Sequence, residues 1–160
     1  MKRFRSFATL AVAIFVLHLS AEAQQRAAGN TQSVKPTVEY SSASNPASRT
    51  LSDVVRVDNI LYLSGKLGTD SAGKLAAGGI AAETKQTMEN IKAVLEKNGS
   101  SLDNVVKCTV MLADIKEWAD MNAVYVTFFK KERLPARSAF GASGLVLNAR
   151  VEIECMATVK

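Results

Sequence analysis

Histidine occurs once in this chain of 160 residues, as His18. It lies in an N-terminal segment laid out like a secretory signal. Lys2, Arg3 and Arg5 make a positive start, an apolar run follows from Phe7 to Leu19, and Ala21-Glu22-Ala23 has the small-x-small form cut by signal peptidase. The apolar run is 13 residues long, short of the roughly 20 that span a bilayer. Cleavage after Ala23 is expected, giving an exported protein, periplasmic or secreted, with no membrane association afterwards. The mature chain then has no histidine. It cannot run a Ser-His-Asp triad or a Cys-His pair, and it offers zinc no imidazole. Its chemistry must come from carboxylates, Arg, Lys, Tyr, backbone amides or water.

Cysteine is nearly as scarce. Cys108 and Cys155 both sit in apolar, strand-like runs, where cysteine usually serves as a small buried hydrophobe. Two unpaired buried thiols are expected, although an oxidising compartment permits a disulfide. No cysteine near the cleavage point suggests a lipoprotein. A strong charge of one sign is missing too. Lys2, Arg3, Arg5 and Glu22 carry +2 of the formal +5, leaving 17 basic residues against 14 acidic ones. They are dispersed, which argues against the basic stripe of a nucleic-acid binder. Repeats and low-complexity tracts are absent.

Nearly half of the residues are apolar, and the length suits one domain with a real core. Residues 24–36 are small and polar and read as a flexible leader; the folded domain is expected over 37–160. Thr37–Ser41 is a weak strand. Val54–Val57 and Ile60–Ser64 are better ones, joined by a turn at Asp58-Asn59. Glycines at 65, 68, 73, 78 and 79 punctuate a loop. From Ile80 to Asn98 the apolar positions Thr84, Met88, Ile91 and Leu95 recur at helical spacing, with Glu83, Lys85, Glu89, Lys92 and Glu96 facing elsewhere and Gly99 as the stop. Val105–Leu112 is a strand apolar on both faces, hence central. Asp114 and Glu117 form a capping-box pair opening a helix whose Trp118, Met121, Tyr125 and Phe128 share one face. After Pro135 come a short strand around Arg137–Phe140, a Gly-containing loop and an alternating strand from Arg150 to Val159. The expected fold class is α+β: one sheet with two helices packed on one face. The other face lacks a helix, which points to an oligomer that buries it.

On the last strand Val151, Ile153, Cys155 and Ala157 point one way, and Glu152, Glu154, Met156 and Thr158 the other. Either glutamate could be a functional carboxylate or a solvated one. Arg137, where the chain turns back into the sheet, reads by itself as a surface charge.

Pro135-Ala136-Arg137-Ser138, with Glu152 fifteen residues after the arginine in Val-Glu-Ile-Glu, resembles the signature of the Rid family (reactive intermediate deaminases, also called YjgF or L-PSP proteins). Further blocks match in order: Leu61-Tyr62-Leu63-Ser64-Gly65, Glu89 to Leu95, Val105 to Val110, and Asn122-Ala123-Val124-Tyr125. The resemblance covers about Ser52 to the C-terminus. It implies a chorismate-mutase-like fold with a single mixed sheet, and a homotrimer with ligand sites in the clefts between subunits. It also implies that Arg137 clamps the carboxylate of a 2-imino acid and Glu152 holds the attacking water. Backbone amides at Gly65 and near Ala139 complete the pocket, with Asn122 close by. At its mouth Leu51 replaces the usual aromatic, and Lys66 replaces the glutamine of Ser-Gly-Gln. An iminium carbon is already electrophilic, so its hydrolysis to a 2-oxo acid and ammonia needs orientation and a placed water, but no metal or other cofactor. Competing expectations are a binding protein for small carboxylates without turnover and, ranked lower, the endoribonuclease activity attached to some members.

Overall fold

The computed structural model describes residues 35–42 and 50–159. The expected signal segment at 1–23, with His18, lies outside the described residues, as does the leader except for Lys35 and Pro36.

Seven strands and two helices make up the described fold: β1 (Val38–Ser41), β2 (Val54–Val57), β3 (Ile60–Leu63), β4 (Lys66–Leu67), α1 (Gly79–Lys97), β5 (Val105–Leu112), α2 (Trp118–Tyr125), β6 (Ala136–Gly141) and β7 (Val151–Thr158). The sheet order is β1-β2-β3-β7-β5-β6, with the short β4 also pairing β7. β5 and β6 are parallel, which requires a crossover connection, and the segment carrying α2 supplies it; the other pairs are antiparallel. The sheet is therefore mixed, as expected. β7 occupies its middle, and β5 lies one place further out. The outer face of β5 is less apolar than its sequence suggested, because it carries Lys107 and Thr109 beside Met111.

The β2–β3 hairpin turns at Asp58-Asn59, where Asp58 adopts the left-handed region at φ 51°, a conformation that aspartate tolerates better than most residues. On α1 the helical stripe packs as its spacing dictates: Thr84, Met88, Ile91 and Leu95 are fully buried. Gly99, at φ 75°, lets the chain leave the helix while Ser100 N–H returns to the Leu95 carbonyl at 2.9 Å. Glu83 departs from expectation. It stands three residues after Ile80 and four before Thr87, on the edge of the buried stripe. It is buried, and its carboxylate accepts the Arg150 N–H at 2.8 Å. The capping box is only half formed. Asp114 accepts the Lys116 N–H at 2.9 Å, but the Glu117 carboxylate turns to Arg150 at 3.1 Å, and a 3-10 turn at Ile115–Glu117 precedes α2.

One core cluster joins α1 and α2 to the inner sheet face, with Leu61, Leu63, Val110, Leu112, Val151 and Ile153 beneath Met88, Ile91, Met121 and Tyr125. Truncating a buried aliphatic here is expected to cost about 2–5 kcal/mol.

The cysteines correct the sequence reading, because Cys108 and Cys155 are joined as a disulfide. They are register partners on the antiparallel β5–β7 pair, with Cα atoms 4.1 Å apart. Apolar context shows that each is buried; only the register shows that they meet.

Candidate functional site

Arg137 lies on β6, the edge strand beside β5, and is half-buried. Its register partner is Cys108, itself paired with Cys155, so this row of side chains faces the helices. The guanidinium carbon sits 4.6 Å from the Tyr125 ring centroid and 5.6 Å from that of Trp118. These rings, with Asn122 between them, follow helical spacing along one stripe of α2. Tyr125 is braced from behind by Phe129, ring centroids 5.0 Å apart. Among the described residues no carboxylate pairs with Arg137. The Asn122 Oδ1 and the Tyr125 hydroxyl are buried and without a protein partner. Burial pushes the Tyr125 hydroxyl up to about 12, the Arg137 charge pulling the other way, so the phenol stays a neutral donor. Ala139, half-buried two residues along β6, lies on the same side as Arg137.

Glu152 belongs to the opposite face. β7 alternates as expected, with Val151, Ile153, Cys155 and Ala157 buried, and Glu152 is half-buried on the side without helices. Its carboxylate lies against Gly65, between β3 and β4. A Cβ on Gly65 would come within 2.0 Å of Glu152 Oε1, so any larger residue there would push the carboxylate aside. Ser64 and Lys66 hold this backbone in place. Ser64 Oγ donates to the Ser52 carbonyl at 2.6 Å, and Lys66 Nζ is bound to the Asp53 carboxylate. Lys66, expected as an added cation at the pocket mouth, thus spends its charge on Asp53. Leu51 is 58% exposed on the preceding loop.

The chain thus gathers two half-sites. Arg137, Asn122 and Ala139 form one on the helix side; Glu152 and Gly65 form the other on the open side, while Lys66, next to Gly65, is the register partner of the core-facing Ile153. The row through Arg137 contains Cys108, and the row through Glu152 contains Met111, three residues further along β5. One chain does not bring Arg137 and Glu152 together. Trp118 and Tyr125 share one helix face as expected, but their contact with Arg137 was not foreseen. The Trp-x3-Asn-x2-Tyr spacing ahead of an arginine was the available signal. Among the described residues no three His, Cys, Asp or Glu side chains gather as a metal-binding group.

The family described as Endoribonuclease L-PSP matches residues 41–159. A rat protein named 2-iminobutanoate/2-iminopropanoate deaminase is 43% identical over 107 residues, covering 66% of this chain and 77% of its own. The human protein of that name is 42% identical with the same coverage. Among solved structures, yeast Mmf1 superposes with a TM-score of 0.71 at 36% identity, over 78% of this chain and 100% of its own. RidA from an Antarctic Psychrobacter gives 0.67 at 35% identity, again over 78% and 100%.

Proposed function

Because the chain belongs to the Rid family (YjgF, or L-PSP), we propose that it is a hydrolase of C=N bonds that converts reactive 2-imino and enamine acids to 2-oxo acids and ammonia. The observation that carries this reading is an unneutralised, half-buried Arg137 beside Tyr125, whose buried hydroxyl has no protein partner. Leaving such a donor unmatched costs about 1–3 kcal/mol, and a small planar carboxylate can accept from it as well as from the guanidinium.

Arg137 would take the substrate carboxylate bidentately, fixing which face of C2 is open. Glu152, with Gly65 at its back, would hold a water against that face and take its proton as the oxygen bonds to C2. The electron pair of the protonated C=N bond moves onto nitrogen, giving a neutral carbinolamine. The Glu152 proton then passes to that nitrogen, making it an ammonium. The C–N bond breaks as the hydroxyl gives its proton back to Glu152 and becomes the 2-oxo group, and ammonia leaves with the bond's electron pair. The step needs no oxidant, metal or cofactor.

Since Arg137 and Glu152 lie on opposite faces, the site requires a second copy of the chain. We take the assembly to be a homotrimer with a site in each cleft. Export to an oxidising compartment, periplasmic or secreted, belongs to the same reading, and the Cys108–Cys155 disulfide supports it. The separation of the half-sites also favours a second reading: a chain kept from assembling would bind small carboxylates through Arg137 without turnover.

The deciding experiment is hydrolysis of freshly generated 2-iminobutanoate by the mature protein, with Arg137→Ala as control. Acceleration over buffer, lost in the variant, is expected. Hydrolysis at the buffer rate, beside saturable Arg137-dependent binding of 2-oxobutanoate, would replace the deaminase reading with the binding one.

A further inference from the structure

A half-buried arginine can be held in two ways. A carboxylate partner fixes it but consumes its charge and occupies the N–H groups that a substrate would need. An aromatic face fixes it through the ring quadrupole and leaves the five in-plane N–H donors pointing outward. Arg137 is held in the second way. Two rings of α2 lie against its guanidinium at 4.6 and 5.6 Å, and no carboxylate of the described residues competes.

We propose that Trp118 and Tyr125 are positioning residues of the site. Their ring faces aim the Arg137 guanidinium while leaving its charge and its N–H edge for the substrate carboxylate. This inference deepens the carboxylate-clamp reading and rests on it.

Burial alone accounts for Tyr125, which is 2% exposed, and for its neighbour Met121. It does not account for Trp118, the only tryptophan, which stays 41% exposed at the start of α2. A large ring left open on its helix has little packing role, and the face it turns to Arg137 gives it one. The two rings are not equivalent. Tyr125 is anchored by the core and by Phe129, so it sets the floor on which the guanidinium rests. Trp118 is the adjustable wall, and it limits how far the arginine can swing toward solvent. Arg137 thus takes its height from the sheet and its direction from the helix.

The test uses the assembled mature protein and compares Trp118→Leu with Trp118→Phe. The exposed position makes both variants safe for folding, which thermal melting verifies. Loss of the ring face should raise KM for 2-iminobutanoate, and Kd for 2-oxobutanoate, roughly tenfold, with kcat changed less than about threefold, the pattern of an interaction made equally in ground and transition states. Trp118→Phe should restore both to within about twofold, since a phenyl face still attracts a cation. Trp118 also supplies a signal of its own. Emission from this single indole should change when 2-oxobutanoate binds, and Arg137→Ala should both alter the unliganded spectrum and abolish the response.

If Trp118→Leu binds 2-oxobutanoate as wild type does, while Arg137→Ala does not, the clamp stands and the positioning role is wrong. A Trp118→Phe loss as large as that of Trp118→Leu would likewise reduce Trp118 to shape alone. If wild type and Arg137→Ala bind 2-oxobutanoate alike, the clamp reading itself fails and takes this inference with it.

Discussion

The two halves of the site occupy opposite faces of one sheet and are built by different means. On the helix side Arg137 rests on rings that α2 supplies and the core braces, so every constraint on it comes from its own chain. On the open side Glu152 touches Gly65 behind it, and the same face carries exposed Tyr62 and Phe140. No helix of the described residues covers that face. Aiming a charge needs a rigid scaffold, which one chain can make. Enclosing a water needs a closed space, and here that space calls for a second chain.

The largest effects should come from separating the halves. Glu152→Gln is expected to lower kcat by about 10²–10⁴, the usual worth of a positioned base, while Arg137→Ala loses carboxylate binding. Each variant alone should retain little activity. After the two are unfolded and refolded together in equal amounts, roughly a quarter of the sites should combine an intact arginine with an intact glutamate from different copies. Recovery of activity in the mixture would establish the division; a mixture as dead as its parts would mean that each chain completes its own site.

The disulfide sharpens the contrast from the helix side, because Cys108 is the register neighbour of Arg137. Its closed loop spans 47 residues, which corresponds to about 4 kcal/mol of chain entropy removed from the unfolded state. Cys108→Ala with Cys155→Ala should lose stability approaching that figure in urea unfolding. A double variant as stable as wild type would show that the bridge adds nothing to the clamp half.

Gly65→Ala attacks the open half alone. The new Cβ must displace the Glu152 carboxylate, and misplacement of that order can cost about 10²-fold in rate. Turnover should fall by roughly that factor with 2-oxobutanoate affinity retained.

The smallest effect concerns the buried phenol on the clamp half. Its folded value near 12 exceeds the ordinary 10, so its stabilising contribution is complete below pH 10 and is lost as pH rises to 12. At about 1.36 kcal/mol per unit, wild type should lose some 2–3 kcal/mol across that window relative to Tyr125→Phe. Parallel melting curves for the two proteins would contradict the burial of this hydroxyl.

Much of this was legible in the sequence because it depends on period. The alternation from Val151 to Thr158 sorts the strand into two faces without knowledge of its neighbours, and Thr84, Met88, Ile91 and Leu95 do the same for α1. What required pairing was not legible. Cys108 and Cys155 meet through register, Lys66 reaches Asp53 through the approach of two loops, and β4 is only two residues long. The family signature brought Arg137 and Glu152 together as a pair. It could not show that the sheet turns them apart, because that follows from strand order, with β5 between their strands and a shift of three residues along it.

The place of β7 has a kinetic consequence. The last strand in the sequence is the middle strand of the sheet, inserted between β3 on one side and β5 on the other. Until it arrives, β1–β3 and β5–β6 are two fragments with no edge in common, and the helices have only part of a surface to pack on. Contacts so distant along the chain make for slow closure. During synthesis the sheet therefore cannot close until β7 is available, and the strands made earlier wait on it to become one layer.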